Sequence, residues 1–252
     1  MKFTYIHHSA FCVETEGKAF VFDYYNGVGV PNCTYHGKMP ELPENTPIYV
    51  FSSHSHRDHF SPEVLQWSGR YPNIHYIFAK EVKKKLGSSV LRNLGVKEGI
   101  REKITYMKHN EQIEVDGVQI ETLLSTDSGV AFLVTVSGTA IYHAGDLNWW
   151  KWEGEPEEFN EYQERAYKEQ IGLLAGREIG LAFVVVDPRQ EQDQFLGIQY
   201  FMEHVKAKYV VPMHFWKQYA LIQEYRKGLP PEQQERILAV GHENQEITIP
   251  QE

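Results

Sequence analysis

Thiols are nearly missing from this chain: only Cys12 and Cys33 occur among 252 residues. Two cysteines cannot build a disulfide framework, and neither lies in a paired-cysteine metal motif, so a reducing compartment is the simplest reading. Long apolar runs are missing too. No eighteen consecutive residues are apolar, and the opening Met1-Lys2-Phe3-Thr4-Tyr5-Ile6-His7-His8 turns polar too early for a secretory signal. The expectation is a cytoplasmic protein without membrane association. Positive charge is scarce: net charge is -9, and no Lys/Arg block exists beyond Lys83-Lys84-Lys85. That leaves no electrostatic footprint for nucleic acid, and the triplet reads as the solvated face of a short helix. There is no fixed-period repeat, no low-complexity segment, no His-Glu-x-x-His helix and no cysteine quartet.

What is present is the composition of a soluble globular protein, with 42% hydrophobic and 23% charged residues. A chain of this length can bury a large core as one domain spanning 1–252. Residues 11–15 and 18–22 read as strands around Glu16-Gly17, 112–115 and 118–124 around Asp116-Gly117, and 130–136 and 139–143 around Ser137-Gly138. Each dipeptide suits a two-residue hairpin turn. Residues 130–134 lack polar alternation, which predicts a strand covered on both faces. A long Gly/Pro-rich loop over 26–47 is of the kind that is commonly functional or mobile.

Further strands are predicted at 48–51, 74–79, 181–186, 209–212 and 246–249. Helices are predicted at 62–68, over 80–94 with a break at Gly87, to about Ala175 from the acidic start Glu155-Pro156-Glu157-Glu158, at 195–206, and along 215–240. In the third of these, Phe159, Tyr162, Ala166 and Leu173 are expected to form the buried face. Strands in both halves with helices between them predict an α/β fold: two mixed β-sheets packed together, with helices on the outer faces.

Chemistry concentrates in His54-Ser55-His56-Arg57-Asp58-His59, directly after the strand 48–51 and before the helix start Ser61-Pro62-Glu63. His54 and His56 are two residues apart and would point the same way if extended, while Asp58 and His59 must diverge. Two pairs of this kind can serve two neighbouring metals. Ala144-Gly145-Asp146 ends another predicted strand, and His214 follows the strand Tyr209-Val210-Val211-Pro212-Met213.

His54-x-His56-x-Asp58-His59, followed by Asp146 and His214 at strand ends, resembles the metallo-β-lactamase fold hydrolases. The likeness runs in order along nearly the whole chain. His8-Ser9 and the strand ending in Asp23 are most similar to the ascorbate-6-phosphate lactonase-like branch. The resemblance implies a four-layer αβ/βα sandwich and two divalent metal ions, zinc first. His54 and His56 would hold the first ion and Asp58, His59 and His214 the second, with Asp146 bridging both and Asp58 and Asp146 as the catalytic carboxylates. Such a pair of ions lowers the pKa of a bridging water towards neutrality and polarises a carbonyl or phosphoryl oxygen.

One position departs from the pattern. Where the family supplies a third histidine to the first ion, this chain reads Ser125-Thr126-Asp127-Ser128-Gly129. Asp127 is the strong donor there, and a carboxylate in place of an imidazole would make a harder site that accepts manganese or iron(II) as well as zinc. Its bland alternative is a turn aspartate. Asp23 is expected to support the ligands from behind or to cap a strand end. His8, Trp149 and Trp150, with Trp152 beside them, are candidates for the pocket lining. His7, His75, His109 and His143 read as structural, and Arg189 and Lys217 as surface ion-pair partners.

The expected activity is hydrolysis of a small-molecule ester, lactone, amide or phosphodiester. Competing readings are a non-haem iron oxidoreductase on the same fold, a nuclease, and a non-catalytic metal-binding protein. Di-iron members usually carry a glutamate at the place of His56, which disfavours the oxidoreductase, and the acidic balance disfavours the nuclease. The sequence carries no sign of the oligomeric state.

Overall fold

A computed structural model describes residues 1–30, 33–97 and 99–250. The chain forms two compact units: Met1–Lys108 joined by the segment from His242, and His109–Gly241.

The first unit contains β1 (Lys2–His7), β2 (Ala10–Thr15), β3 (Lys18–Phe22), β4 (Ile48–Ser52), β5 (Ile74–Ala79), the short helix α1 (Ser88–Asn93) and β6 (Ile104–Met107). β1 to β3 form an antiparallel meander, after which β4, β5 and β6 add in parallel. β4 is buried throughout, as a strand covered on both faces must be. β6 was not apparent in the sequence, because four residues at a sheet edge, the two outer ones buried and the two inner ones not, are too few to carry a period.

The second unit repeats the plan. β7 (Gln112–Val115), β8 (Val118–Leu124), β9 (Val130–Val136) and β10 (Thr139–His143) are antiparallel. After α2 (Glu157–Gly172), β11 (Glu178–Val185) and, after α3 (Leu196–His204), β12 (Lys206–Met213) add in parallel to β10. α4 (Tyr219–Gly228) and α5 (Pro231–Arg236) divide the predicted tail helix at Leu229-Pro230. β13 (Gln245–Thr248) then completes the first sheet beside β1. The fold is therefore α/β with two mixed sheets, as expected, and β9 is almost wholly buried. Among the described residues no helix is long and apolar enough to cross a membrane.

The three predicted hairpin turns form with both central residues at positive φ, including Glu16, Asp116 and Ser137, as type I′ turns require. Two other expectations are corrected. The segment 62–68 is a 3-10 helix, Pro62–Gly69, and Ser61 does not cap it; its Oγ accepts the Asn26 N–H at 3.0 Å. In α2 the buried face is Gln163, Tyr167, Gln170 and Ile171, while Phe159, Tyr162 and Leu173 are exposed. Polar pairing outweighs apolar spacing there. Gln170 Oε1 accepts the Leu124 N–H (2.9 Å), Gln163 Nε2 donates to Thr126 O (3.2 Å) and the Tyr167 hydroxyl donates to Gly197 O (2.8 Å).

Candidate metal centre

Parallel strands leave their carboxyl ends on one edge, and the loops at those ends are where α/β sheets bind ligands. In the first unit, β3 ends at Asp23 and β4 runs into the six-residue histidine cluster. The cluster is a tight turn: the amides of His59 and Phe60 both donate to His56 O, and Glu81 accepts the Ser55 N–H at 2.9 Å. His54 and His59 are fully buried and His56 is exposed.

Asp23, buried and at φ 44°, is the hub behind them. It accepts the Ser53 amide at 2.7 Å, the Ser53 hydroxyl at 2.6 Å and His59 Nδ1–H at 2.7 Å. The Ser53 hydroxyl, having donated to Asp23, accepts from His54 Nδ1 at 2.9 Å. One carboxylate thus fixes two tautomers and leaves Nε2 of both His54 and His59 as lone-pair donors. Burial, and then the nearby His59, hold the His54 pKa well below the usual imidazole range, so the ring stays neutral as a ligand must.

Three donor atoms converge in front of this hub. His8, Asp58 and His59 each offer an atom within 4.8 Å of the others'; His8 Nε2 to Asp58 Oδ2 is 3.5 Å and His59 Nε2 to Asp58 Oδ2 is 3.8 Å. Donors held by one ion at about 2.1 Å and a tetrahedral angle stand about 3.4 Å apart. These spacings are long for hydrogen bonds and close to those of ligands sharing an ion.

In the second unit, Asp146 follows β10, Asp187 follows β11 and His214 follows β12. His214, at φ 67°, directs Nδ1 to Asp187 Oδ2 at 3.0 Å and Nε2 to Asp146 Oδ1 at 3.5 Å. Burial opposes ionisation of Asp187, but the bonds from His214 and Arg189 outweigh it and hold the carboxyl well below the usual carboxylate range. Arg189 Nε lies 2.9 and 3.0 Å from the two carboxylate oxygens, its Nη2 and backbone N–H also donate, and Trp216 Nε1 adds a longer bond at 3.3 Å. Arg189 therefore pairs with a wholly buried carboxylate, not with a surface acid.

Asp127 is exposed, and its carboxylate comes within 4.8 Å of that of Asp146. Its turn is tied to the Asp146 turn by Thr126, whose hydroxyl donates to Asn148 O (2.6 Å) and accepts from Asn148 N–H (3.0 Å). Trp150 is buried, donates from Nε1 to Asp146 O at 3.1 Å, stacks on Trp152 and meets the His214 ring at 6.2 Å. Trp149 is directed elsewhere, against Lys168 and Tyr200, so Trp152 and not Trp149 is the partner of Trp150. His143 accepts the Gly145 N–H in the core, and His7 bonds Tyr25 O. Asp187, Ser53, Glu81 and Tyr35 had no assigned role in the sequence; a lone acid at a strand end, as for Asp23, was the available signal for Asp187.

Mixed sheets with imidazole and carboxylate donors at the carboxyl ends of their parallel strands define the metallo-β-lactamase fold. Residues 2–151 match the beta-lactamase superfamily domain, and the chain belongs to that family. It is 28% identical over 155 residues to a UPF0173 metal-dependent hydrolase of Methanosarcina barkeri, a match covering 58% of this chain and 61% of that relative. Among solved structures it is similar to Igni18, a metallo hydrolase from Ignicoccus hospitalis, with TM-score 0.65 and 17% identity over 100% of this chain and 99% of the other. Similarity to an isothiocyanate hydrolase from Delia radicum gut bacteria reaches TM-score 0.59 and 15% identity over 99% of each chain. A diiron β-hydroxylase, CmlA of Streptomyces venezuelae, shares the fold at TM-score 0.53 and 15% identity over 84% of this chain and 44% of that one.

Proposed function

We propose that the protein is a metal-dependent hydrolase of small molecules. In this reading the donors of the first unit, His54, His56, Asp58 and His59, and those of the second, Asp127, Asp146 and His214, would hold the divalent ions. The observation that carries it is the donor spacing: in each unit an imidazole Nε2, fixed by a carboxylate at its Nδ1, stands 3.5 to 3.8 Å from a second carboxylate. The donor set is nitrogen and oxygen without thiolate, which fits zinc, manganese or iron(II).

Bound divalent ions supply a water of lowered pKa and polarise the substrate's carbonyl or phosphoryl oxygen. The chain's own contribution is orientation. Asp23 and Asp187 hold three imidazoles in one tautomer, so no ring has to turn when a ligand binds. Asp58 and Asp146 supply the negative charge nearest the donors and can accept a proton from the nucleophile. Trp150 and Trp152 give the Asp146 and His214 side an apolar wall, which suits a small organic ester, lactone, amide or phosphodiester.

The pairing of Asp127 with Asp146 places two oxygen donors together, and this favours harder ions and keeps an iron-dependent oxidative reaction as a second reading. Chelation should abolish hydrolysis of an ester, lactone or phosphodiester panel, and zinc, manganese or iron(II) should restore it. Folded protein that takes up none of these ions by elemental analysis would remove the proposal. Oxygen consumption by the iron-loaded protein without hydrolysis would replace it with the second reading. Asp127→Ala should lose about one ion; full metal content and activity would remove Asp127 from the ligand set.

A further inference from the structure

We infer that His8 is an additional ligand of the ion held by Asp58 and His59, with Tyr35 as the residue that positions it. The inference rests on the metal centre proposed above and concerns a residue to which the histidine motif assigns nothing.

His8 occupies the turn between β1 and β2 in the left-handed conformation, φ 51°. That conformation is costly for a residue with a Cβ, although less so for His, Asn and Asp than for most. The turn is held by the His8 amide donating to the Tyr5 hydroxyl at 2.9 Å. Its effect is to bring an imidazole that is 0% exposed in from the end of β1 until Nε2 is 3.5 Å from Asp58 Oδ2 and the ring centre is 5.8 Å from that of His59. With His59 Nε2 at 3.8 Å from the same oxygen, the three donors are close enough together that one ion could be shared among them.

The other ring nitrogen is held as a metal-binding histidine's usually is. Nδ1 lies 3.1 Å from the Tyr35 hydroxyl. When Nδ1–H donates to that oxygen, the Nε2 lone pair faces Asp58 and His59, repeating with a phenol what Asp23 does for His59. A phenol can also donate, so it enforces the tautomer less strongly than a carboxylate does.

Gly27 and Gly37, on either side of Tyr35 in sequence, let it sit there. Tyr35 donates its N–H to Gly27 O at 2.9 Å, and a Cβ on Gly27, at φ 81°, would sit 2.2 Å from Tyr35 O. A Cβ on Gly37 would sit 2.0 Å from Ile6 O and 2.7 Å from His7 Nδ1. The two glycines let the loop close down on the end of β1, and Tyr35 is 2% exposed as a result. A long loop of the kind that is commonly functional or mobile thus contributes the residue that positions His8.

The test is metal binding by the full chain, with zinc affinity measured by chelator competition and cobalt(II) absorption as the readout of coordination. His8→Asn tolerates the left-handed backbone. It should bind one equivalent at least about tenfold more weakly and shift the cobalt spectrum. His8→Gly should do the same and recover the spectrum when free imidazole is added. Tyr35→Phe should keep the spectrum and lose affinity only a few-fold. Unchanged zinc affinity and an unchanged cobalt spectrum in folded His8→Asn overturn the inference and leave the metal centre standing. Wild-type protein that binds neither zinc nor cobalt overturns both. Metal-binding protein that hydrolyses nothing removes the hydrolase reading alone.

Discussion

Two buried aspartates stand behind the candidate ligands, one in each unit, and they are solvated by the protein in different ways. Asp23 is surrounded by neutral donors: it takes two bonds from Ser53 and one from His59, and through the Ser53 hydroxyl it also sets His54. Asp187 sets one imidazole, His214, and spends the rest of its charge on the Arg189 guanidinium. The sheet plan is the same in both units, an antiparallel meander that turns parallel just before the ligands appear. What differs is the electrostatic partner. A carboxylate shared between two imidazoles keeps most of its negative charge on the ligand side and raises their donor strength. One paired with an arginine is locked in place and is a weaker base towards its histidine.

The comparison can be broken most directly by deleting each carboxylate. Asp23→Ala leaves three buried donors, from Ser53 and His59, without their acceptor, and should cost about 3 kcal/mol or more in chemical denaturation. Asp187→Ala should cost less, about 1 to 2 kcal/mol, because the half-exposed Arg189 can turn to water. Equal losses would mean that the two networks are not built differently.

Next in size is metal affinity. Asp187→Asn keeps the shape but not the charge and should weaken binding of the ion held by His214 about 10- to 100-fold, while leaving folding nearly intact. Isothermal titration that finds native affinity would remove Asp187 from the support of His214.

A third effect appears with pH. The His54 pKa is lowered in the folded state by burial and by His59, so the unfolded chain binds more protons below the ordinary imidazole value of about 6.5. The metal-free protein should therefore lose stability as pH falls through that range. Asp187 acts in a more acidic window. Its depressed folded pKa contributes stability that is present above about 3.9, the unfolded value, and fades as pH falls towards the folded one. Denaturation midpoints that stay flat from pH 7.5 down to pH 5 would contradict the first of these effects.

The smallest effect belongs to Arg189→Met. It leaves the Asp187 bond to His214 in place, so metal affinity should change only a few-fold. The stability difference from wild type should be largest near neutral pH and shrink below about pH 4, as Asp187 takes up its proton. A tenfold or greater loss of metal would give Arg189 a larger part than orientation.

Much of this was legible without coordinates. The three hairpins follow from Glu16-Gly17, Asp116-Gly117 and Ser137-Gly138, because a two-residue turn is decided by the backbone freedom of those two residues. The cluster from His54 to His59 is contiguous and stood out for that reason, and Asp146 and His214 could be placed by the strands they end. Apolar spacing does not mark the buried face of α2, since Gln163 and Gln170 are drawn inward by backbone groups that lie far away in sequence. Ser53, Glu81 and Tyr35 were not recognisable at all, as each is an ordinary residue until its partner is known, and Asp187 showed only as a lone acid at a strand end.

By itself, then, the sequence determined the strand and turn pattern, the kinds of donor atom and their order along the chain, all of which depend on near neighbours. The tertiary structure decided which nitrogen of each histidine faces its neighbours. Asp23 lies 36 residues from His59, and His8 lies 27 from Tyr35. A tautomer is chosen by the group at the far end of its hydrogen bond, and only folding brings that group within reach.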